Sequence, residues 1–175
     1  MQEGLQKIAE TADIPIAWHL IGHLQSNKAR KAAVSFGVIH TIDSVELLRR
    51  VDAAAAEAQA TPDVLIQVDL AGEATKFGAA EREVGAIARA AEGCRAVRLT
   101  GLMVLPPWSE DPERTRPYFR QLRALRDRLV ADGIEPSRLR DLSMGMSHDY
   151  DVAIQEGATL VRVGTAIFGK RTVRT

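Results

Sequence analysis

The chain has 175 residues, 46% hydrophobic and 26% charged, the size and composition of a globular domain long enough to bury a core. Lys+Arg and Asp+Glu both count 23, so the formal charge is zero, which argues against nucleic acid or an anionic membrane surface as a partner. The lone Cys94 excludes an intrachain disulfide, no apolar run approaches the ~18 residues of a membrane span, and Met1-Gln2-Glu3-Gly4 is no signal peptide, so a cytoplasmic protein is expected.

Six short apolar runs are each followed by a stretch of helical periodicity. The first two predicted strands are Ala17–Gly22 and Val38–Asp43. Asp43-Ser44-Val45-Glu46 then sets a cap residue three before a glutamate, a capping-box pattern opening a helix from Val45 to about Ala60. Val64–Leu70 is the third strand, and its unbroken apolar run suits a parallel strand covered on both faces. Arg98–Leu105 is the fourth. Phe119, Leu122, Leu125 and Leu129 recur at steps of three and four, one face of a helix that ends near Gly133. Its arginines (Arg116, Arg120, Arg123, Arg126, Arg128) read as a solvated face interleaved with Asp127 rather than as a phosphate site. Asp141–Gly145 is the fifth strand, Asp149 and Gly157 bracket a helix, and Leu160–Phe168 is the last strand.

Repeated βα units build either an open doubly wound sheet or a closed barrel. No G-x-G-x-x-G supports a nucleotide-binding open sheet. Six units in 175 residues average about 29 each, so eight need roughly 230, near the ~250 typical of a (β/α)8 barrel. The expected fold is therefore a (β/α)8 TIM barrel with about six of its eight βα units present, as one domain over residues 1–175.

In such barrels the chemistry sits at the carboxyl ends of the strands. Here those ends carry His19, Thr41, Asp43, Gln67, Asp69, Met103, the run Ser143-Met144-Gly145-Met146-Ser147 and the run Arg162-Val163-Gly164-Thr165. The last two fall on the loops that often build a phosphate site, where glycine lets backbone approach an anion and hydroxyls add donors. Read singly, Ser147 is an N-cap, Gly164 a packing glycine and Arg162 half of a rim salt bridge; their convergence favours the phosphate site. Arg162 keeps its proton, so facing a pyridine nitrogen it would leave that nitrogen unprotonated and favour holding a cofactor over carbanion chemistry. His19 and His23 straddle a strand end with no cysteine or acidic cluster, which argues against a metal. Asp43 and Asp69 read as capping or loop residues, and no G-x-S-x-G supports a hydrolase elbow.

His19-Leu20-Ile21-Gly22-His23-Leu24-Gln25-Ser26-Asn27-Lys28 resembles the signature H-[FL]-I-G-x-L-Q-x-N-K of the pyridoxal phosphate homeostasis family, the YggS/PROSC group. His40-Thr41-Ile42-Asp43, Gly101-Leu102-Met103, Leu142 to Ser147 and Val161 to Gly169 match in the same order. The resemblance implies an alanine-racemase-like barrel that binds pyridoxal 5′-phosphate (PLP) without firmly established catalysis and keeps PLP and amino acid levels in balance. It implies that Ser147, Gly164 and Thr165 hold the phosphate, that Arg162 faces the ring nitrogen, and that Ser143 and Met146 belong to the cofactor site. It leaves PLP as the expected partner of a monomer, with no metal and no catalytic residue.

The front departs from the family pattern, because members begin with about two further βα units carrying a V-S-K-like motif whose lysine forms the Schiff base. Either an internal GTG codon has been read as Met1, or the short chain is natural and defective in covalent PLP binding; the first is the expectation, since two missing strands would leave two unpaired edges. Lys28 and Lys76 do not align with the missing lysine, and Lys76 and Lys170 read as surface residues. The competing readings are a PLP-dependent racemase or decarboxylase, for which Tyr118 and Tyr150 are poorly placed as acid/base, and a barrel that binds a sugar phosphate.

Overall fold

The apolar runs fold into parallel strands and the amphipathic stretches into helices that cover them, in a computed structural model that describes residues 1–72 and 77–169. In chain order these are α1 (Gln2–Glu10), β1 (His19–Leu20), α2 (Ala29–Ser35), β2 (Val38–Ile42), α3 (Val45–Glu57), β3 (Asp63–Asp69), β4 (Ala79–Ala80) and α4 (Glu81–Ala91). They continue with β5 (Arg98–Val104), α5 (Arg116–Ala131), β6 (Asp141–Met146), α6 (Tyr150–Gln155), β7 (Leu160–Arg162) and α7 (Thr165–Phe168). All strand pairs are parallel in the order β1-β2-β3-β5-β6-β7, and the two-residue β4 adds to β3 through Val68 and Ala79. Six βα units are present among the described residues, as expected.

The sheet is curled, and side-chain contacts show it. β2 and β6 lie three strands apart, roughly 14 Å on a flat sheet at ~4.8 Å per strand. Yet His40 Nδ1 of β2 lies 2.9 Å from Ser143 Oγ of β6. Only a sheet bent toward closure brings these side chains into contact, so the fold is a partial (β/α) barrel. Val64, Leu65 and Ile66 of β3 are fully buried on both faces. Leu47, Leu48, Val51 and Ala55 of α3, Val84, Ile87 and Ala88 of α4, and Phe119, Leu122, Leu125 and Leu129 of α5 form the outer side of the core. Alanine on these faces lets the helices approach the sheet closely.

Local chemistry corrects several boundaries. Ser44, not Asp43, caps α3: the Leu47 N–H donates to Ser44 Oγ at 3.2 Å, while Glu46 turns outward to Arg50. The last strand ends at Arg162, and the apolar run beyond it closes a helical turn in which Ile167 and Phe168 N–H donate to Gly164 O. A short apolar run does not itself distinguish strand from helix. Helix α1 was not predicted; it is short, and none of its residues is fully buried. Three of the α5 arginines do more than solvate a face: Arg116, Arg120 and Arg123 converge on the buried carboxylate of Glu156 and tie α5 to α6.

Gly101 of β5 faces Asp141 of β6 so closely that a Cβ there would sit 2.0 Å from the Asp141 carbonyl oxygen. Gly101→Ala should therefore cost about 3 kcal/mol or more, the upper end of overpacking effects, read as a lower urea midpoint. An unchanged midpoint would contradict the close β5–β6 contact.

Candidate functional site

A cleft of about 720 Å³ opens at the carboxyl ends of β1, β6 and β7, walled by His19, His40, Trp108, Met146, Ser147 and Arg162, with Gly164 and Thr165 at its edge. It therefore collects five of the six residues expected from sequence. The sixth, Ser143, is fully buried just behind it.

Arg162 leaves the end of β7 and turns inward. Its Nη1 donates to Ser143 Oγ at 2.7 Å and its Nη2 to the Val104 carbonyl oxygen at 2.9 Å. Its Nε is buried with no hydrogen-bond partner, and among the described residues no carboxylate forms an ion pair with it. Burial draws its pKa down to about 10, against the pull of Asp149, so it remains a cation at neutral pH. The rim salt-bridge reading therefore fails. An uncompensated buried N–H costs about 1–3 kcal/mol, so the site favours an acceptor placed against it.

Behind Arg162 runs a chain of side-chain hydrogen bonds. Ser143 Oγ contacts His40 Nδ1 at 2.9 Å, and His40 Nε2 contacts His19 Nδ1 at 3.0 Å. Burial pushes His40 down to about 3, with His19 and Arg162 adding to the effect, so His40 is neutral. His19 is lowered too, by burial, against the opposing charge of Asp63.

Across the cleft, Ser147 Oγ accepts from the backbone N–H of Gly164 at 3.0 Å and of Ala166 at 3.3 Å. Two N–H groups thus converge on one oxygen at the start of α7, with Thr165 between them. A Cβ on Gly164 would meet nothing within 4 Å, so this glycine keeps the cleft open and is not a packing residue. Met146 lines the wall through its side chain, because its N–H is committed to Asp149 Oδ1 at 2.7 Å.

The remaining sequence candidates lie elsewhere in the fold. Gly145 does not serve anion approach: at φ +89° its Cβ would lie 2.6 Å from Ala153 Cβ, so it is the residue that lets α6 pack on β6. His23 stacks on Phe77 with ring centroids 3.6 Å apart, away from His19, and no metal-binding cluster exists among the described residues. Asp69 Oδ1 accepts from Ala71 and Gly72 N–H, a loop turn as expected. Lys7, Lys28 and Lys31 lie outside the cleft, while Lys76 and Lys170 fall outside the described residues. Cys94 is held as a thiol, pushed up to about 11 by burial and by Asp52. Sequence reasoning assigned no role to His40, although a histidine amid the apolar residues of β2 was a usable signal. Nor did it assign one to Trp108 and His148, which line the cleft and stack with ring centroids 6.3 Å apart.

The family model for the alanine racemase N-terminal domain matches residues 2–172. A pyridoxal phosphate homeostasis protein of Aquifex aeolicus is 42% identical over 98% of this chain and 74% of its own length. The chain belongs to this family. PipY of Synechococcus elongatus is 40% identical and superposes with TM-score 0.89 without PLP and 0.88 with PLP bound, over 96% of this chain and 78% of PipY. No helix among the described residues is long and apolar enough to cross a membrane.

The neutral state of His40 has a pH consequence. The unfolded chain binds a proton on this histidine near pH 6.5, whereas the folded chain binds it only near 3. Between those values the unfolded state holds more protons, so stability should fall on acidification by up to about 1.4 kcal/mol per pH unit. Urea midpoints between pH 7 and 5 should fall less steeply for His40→Gln than for the natural chain; parallel slopes would contradict a buried neutral His40.

Proposed function

We propose that the cleft is a noncovalent PLP site and that the chain acts in PLP and amino acid homeostasis in the cytoplasm, as a carrier and not as a catalyst. The observation that carries this reading is the half-buried Arg162 guanidinium, charged, without an ionic partner among the described residues and with its buried Nε–H unsatisfied. A pyridine nitrogen is an uncharged acceptor that Nε–H can meet without a proton being given up. The Gly164 and Ala166 N–H groups, now bonded to Ser147 Oγ, are the donors for a phosphate, with the Ser147 and Thr165 hydroxyls beside them. Ser143 holds Arg162, and Met146 packs the wall. The PLP-bound PipY structure, from a relative 40% identical, supports the same ligand.

When bound, PLP supplies an aldehyde on an electron-withdrawing ring. This chain keeps the ring nitrogen unprotonated, because Arg162 stays charged well above neutral pH. A side chain placed for proton exchange with a substrate would be needed for racemisation or decarboxylation, and neither Tyr118 nor Tyr150 lines the cleft. Among the described residues no lysine lines it either, so the contacts above are noncovalent.

PLP titration followed by ultrafiltration tests this. Arg162→Met should weaken binding by about 10- to 100-fold, the loss of a charged hydrogen bond, and Gly164→Leu should abolish it by filling the phosphate cradle. Borohydride treatment followed by mass spectrometry should leave no PLP on lysine. Undiminished binding in both variants, or one stoichiometric lysine adduct, would overturn the reading; alanine racemisation by the purified chain would overturn its non-catalytic part.

A further inference from the structure

The hydrogens along the chain from Arg162 to the cleft rim can be counted, and the count sets a direction. Arg162 can only donate, so Ser143 Oγ is an acceptor in their 2.7 Å contact. Ser143 is fully buried, and among the described residues its remaining hydroxyl hydrogen has one side-chain acceptor in reach, His40 Nδ1 at 2.9 Å. A neutral His40 that accepts at Nδ1 carries its hydrogen on Nε2, and donates it to His19 Nδ1 at 3.0 Å. A neutral His19 that accepts at Nδ1 must in turn carry its own hydrogen on Nε2. That ring is exposed and forms part of the cleft wall.

The reverse polarity fails the same count. If His19 Nδ1–H donated to His40 and His40 Nδ1–H donated to Ser143, the serine oxygen would accept from both His40 and Arg162. Its own buried hydrogen would then lack a partner, at a cost of about 1–3 kcal/mol. Protonating His40 to satisfy both neighbours would place a second buried cation beside Arg162.

We propose that Ser143, His40 and His19 form a one-way hydrogen-bond relay polarised by Arg162, so that His19 presents Nε2–H to the cleft as an additional ligand donor and His40 is the positioning residue that fixes it. This inference rests on the carrier reading for the identity of the ligand but not for the direction of the relay. It assigns the ligand a hydrogen-bond acceptor on the His19 side of the cleft, in addition to the acceptors met by Arg162 and by the Gly164 cradle. A ligand group that only donates would meet the wrong end of the relay.

The test is the tautomer of each histidine, read by two-bond 15N–1H spectra of the full chain labelled in histidine and assigned by single substitutions. At neutral pH both His19 and His40 should show protonated Nε2 and bare Nδ1. Protonated Nδ1 on either ring would overturn the proposal. Ser143→Ala should release His40 into a tautomer mixture, and an unmoved spectrum in this folded variant would count against the relay. His19→Phe, at the exposed end, is a second route if the serine variant fails to fold. It should weaken PLP binding by about tenfold, with His19→Gln restoring most of the loss, and unchanged affinity in His19→Phe would overturn the donor role. A chain that shows both expected tautomers but binds no PLP would refute the carrier reading and leave the relay standing.

Discussion

The contact between His40 and Ser143 spans the sheet and connects its shape to its chemistry. Side chains three strands apart meet at 2.9 Å only because the parallel sheet curls. The same curl brings Arg162 from the end of β7 under Val104 of β5, so one guanidinium is held by the hydroxyl of β6 and a carbonyl of β5. Covering helices stabilise the curled sheet through ordinary burial: α3, α4 and α5 each bring an apolar stripe to the outer face. The interior face, by contrast, carries His40, Ser143 and Arg162, and a polar interior of this kind is stable only when nearly every group is satisfied. Here the Nε of Arg162 and the hydroxyl of Thr41 are the buried side-chain N and O atoms left without partners among the described residues.

That near-completeness sets Arg162 apart from the other charged groups. Glu156 is also buried, yet three arginines saturate it, so it is a joint between helices and leaves no hydrogen-bonding capacity for a ligand. Asp52 is saturated likewise, by the backbone N–H groups of Arg95, Ala96 and Val97. A second cleft of about 570 Å³ at the other end of the strands is lined by arginines, but Arg98 is paired with Asp63 and Arg140 with Asp141. Arg162 differs from these groups because, among the described residues, it has no ionic partner and its buried Nε is unsatisfied, beside a cradle of converging N–H donors.

Much of this was legible in the sequence because it depends on local spacing. Apolar runs of five to eight residues located the main strands, and leucines at steps of three and four located α5. The cleft residues of β6 and β7 could be named as candidates because barrel chemistry lies at strand ends and because Ser147, Gly164 and Arg162 have side-chain types suited to a phosphorylated ring. What could not be read depends on the curl. The role of His40 requires knowing that β6 lies opposite β2, a separation of 103 residues in the chain. Gly145 and Gly164 look alike in sequence, and only the presence of Ala153 behind one and open space behind the other separates a packing glycine from a cleft glycine. The end of β7 was misplaced for a similar reason, since Ile167 and Phe168 are apolar but exposed.

The PLP reading requires the Arg162 cation and the N–H cradle to act on one ligand. A crystal structure of the chain soaked with PLP tests this most directly. The account predicts the phosphate at the N–H groups of Gly164 and Ala166, and the ring nitrogen at Arg162 Nε. PLP bound in the arginine-lined cleft at the opposite end of the strands, with Arg162 Nε still without a partner, would contradict it.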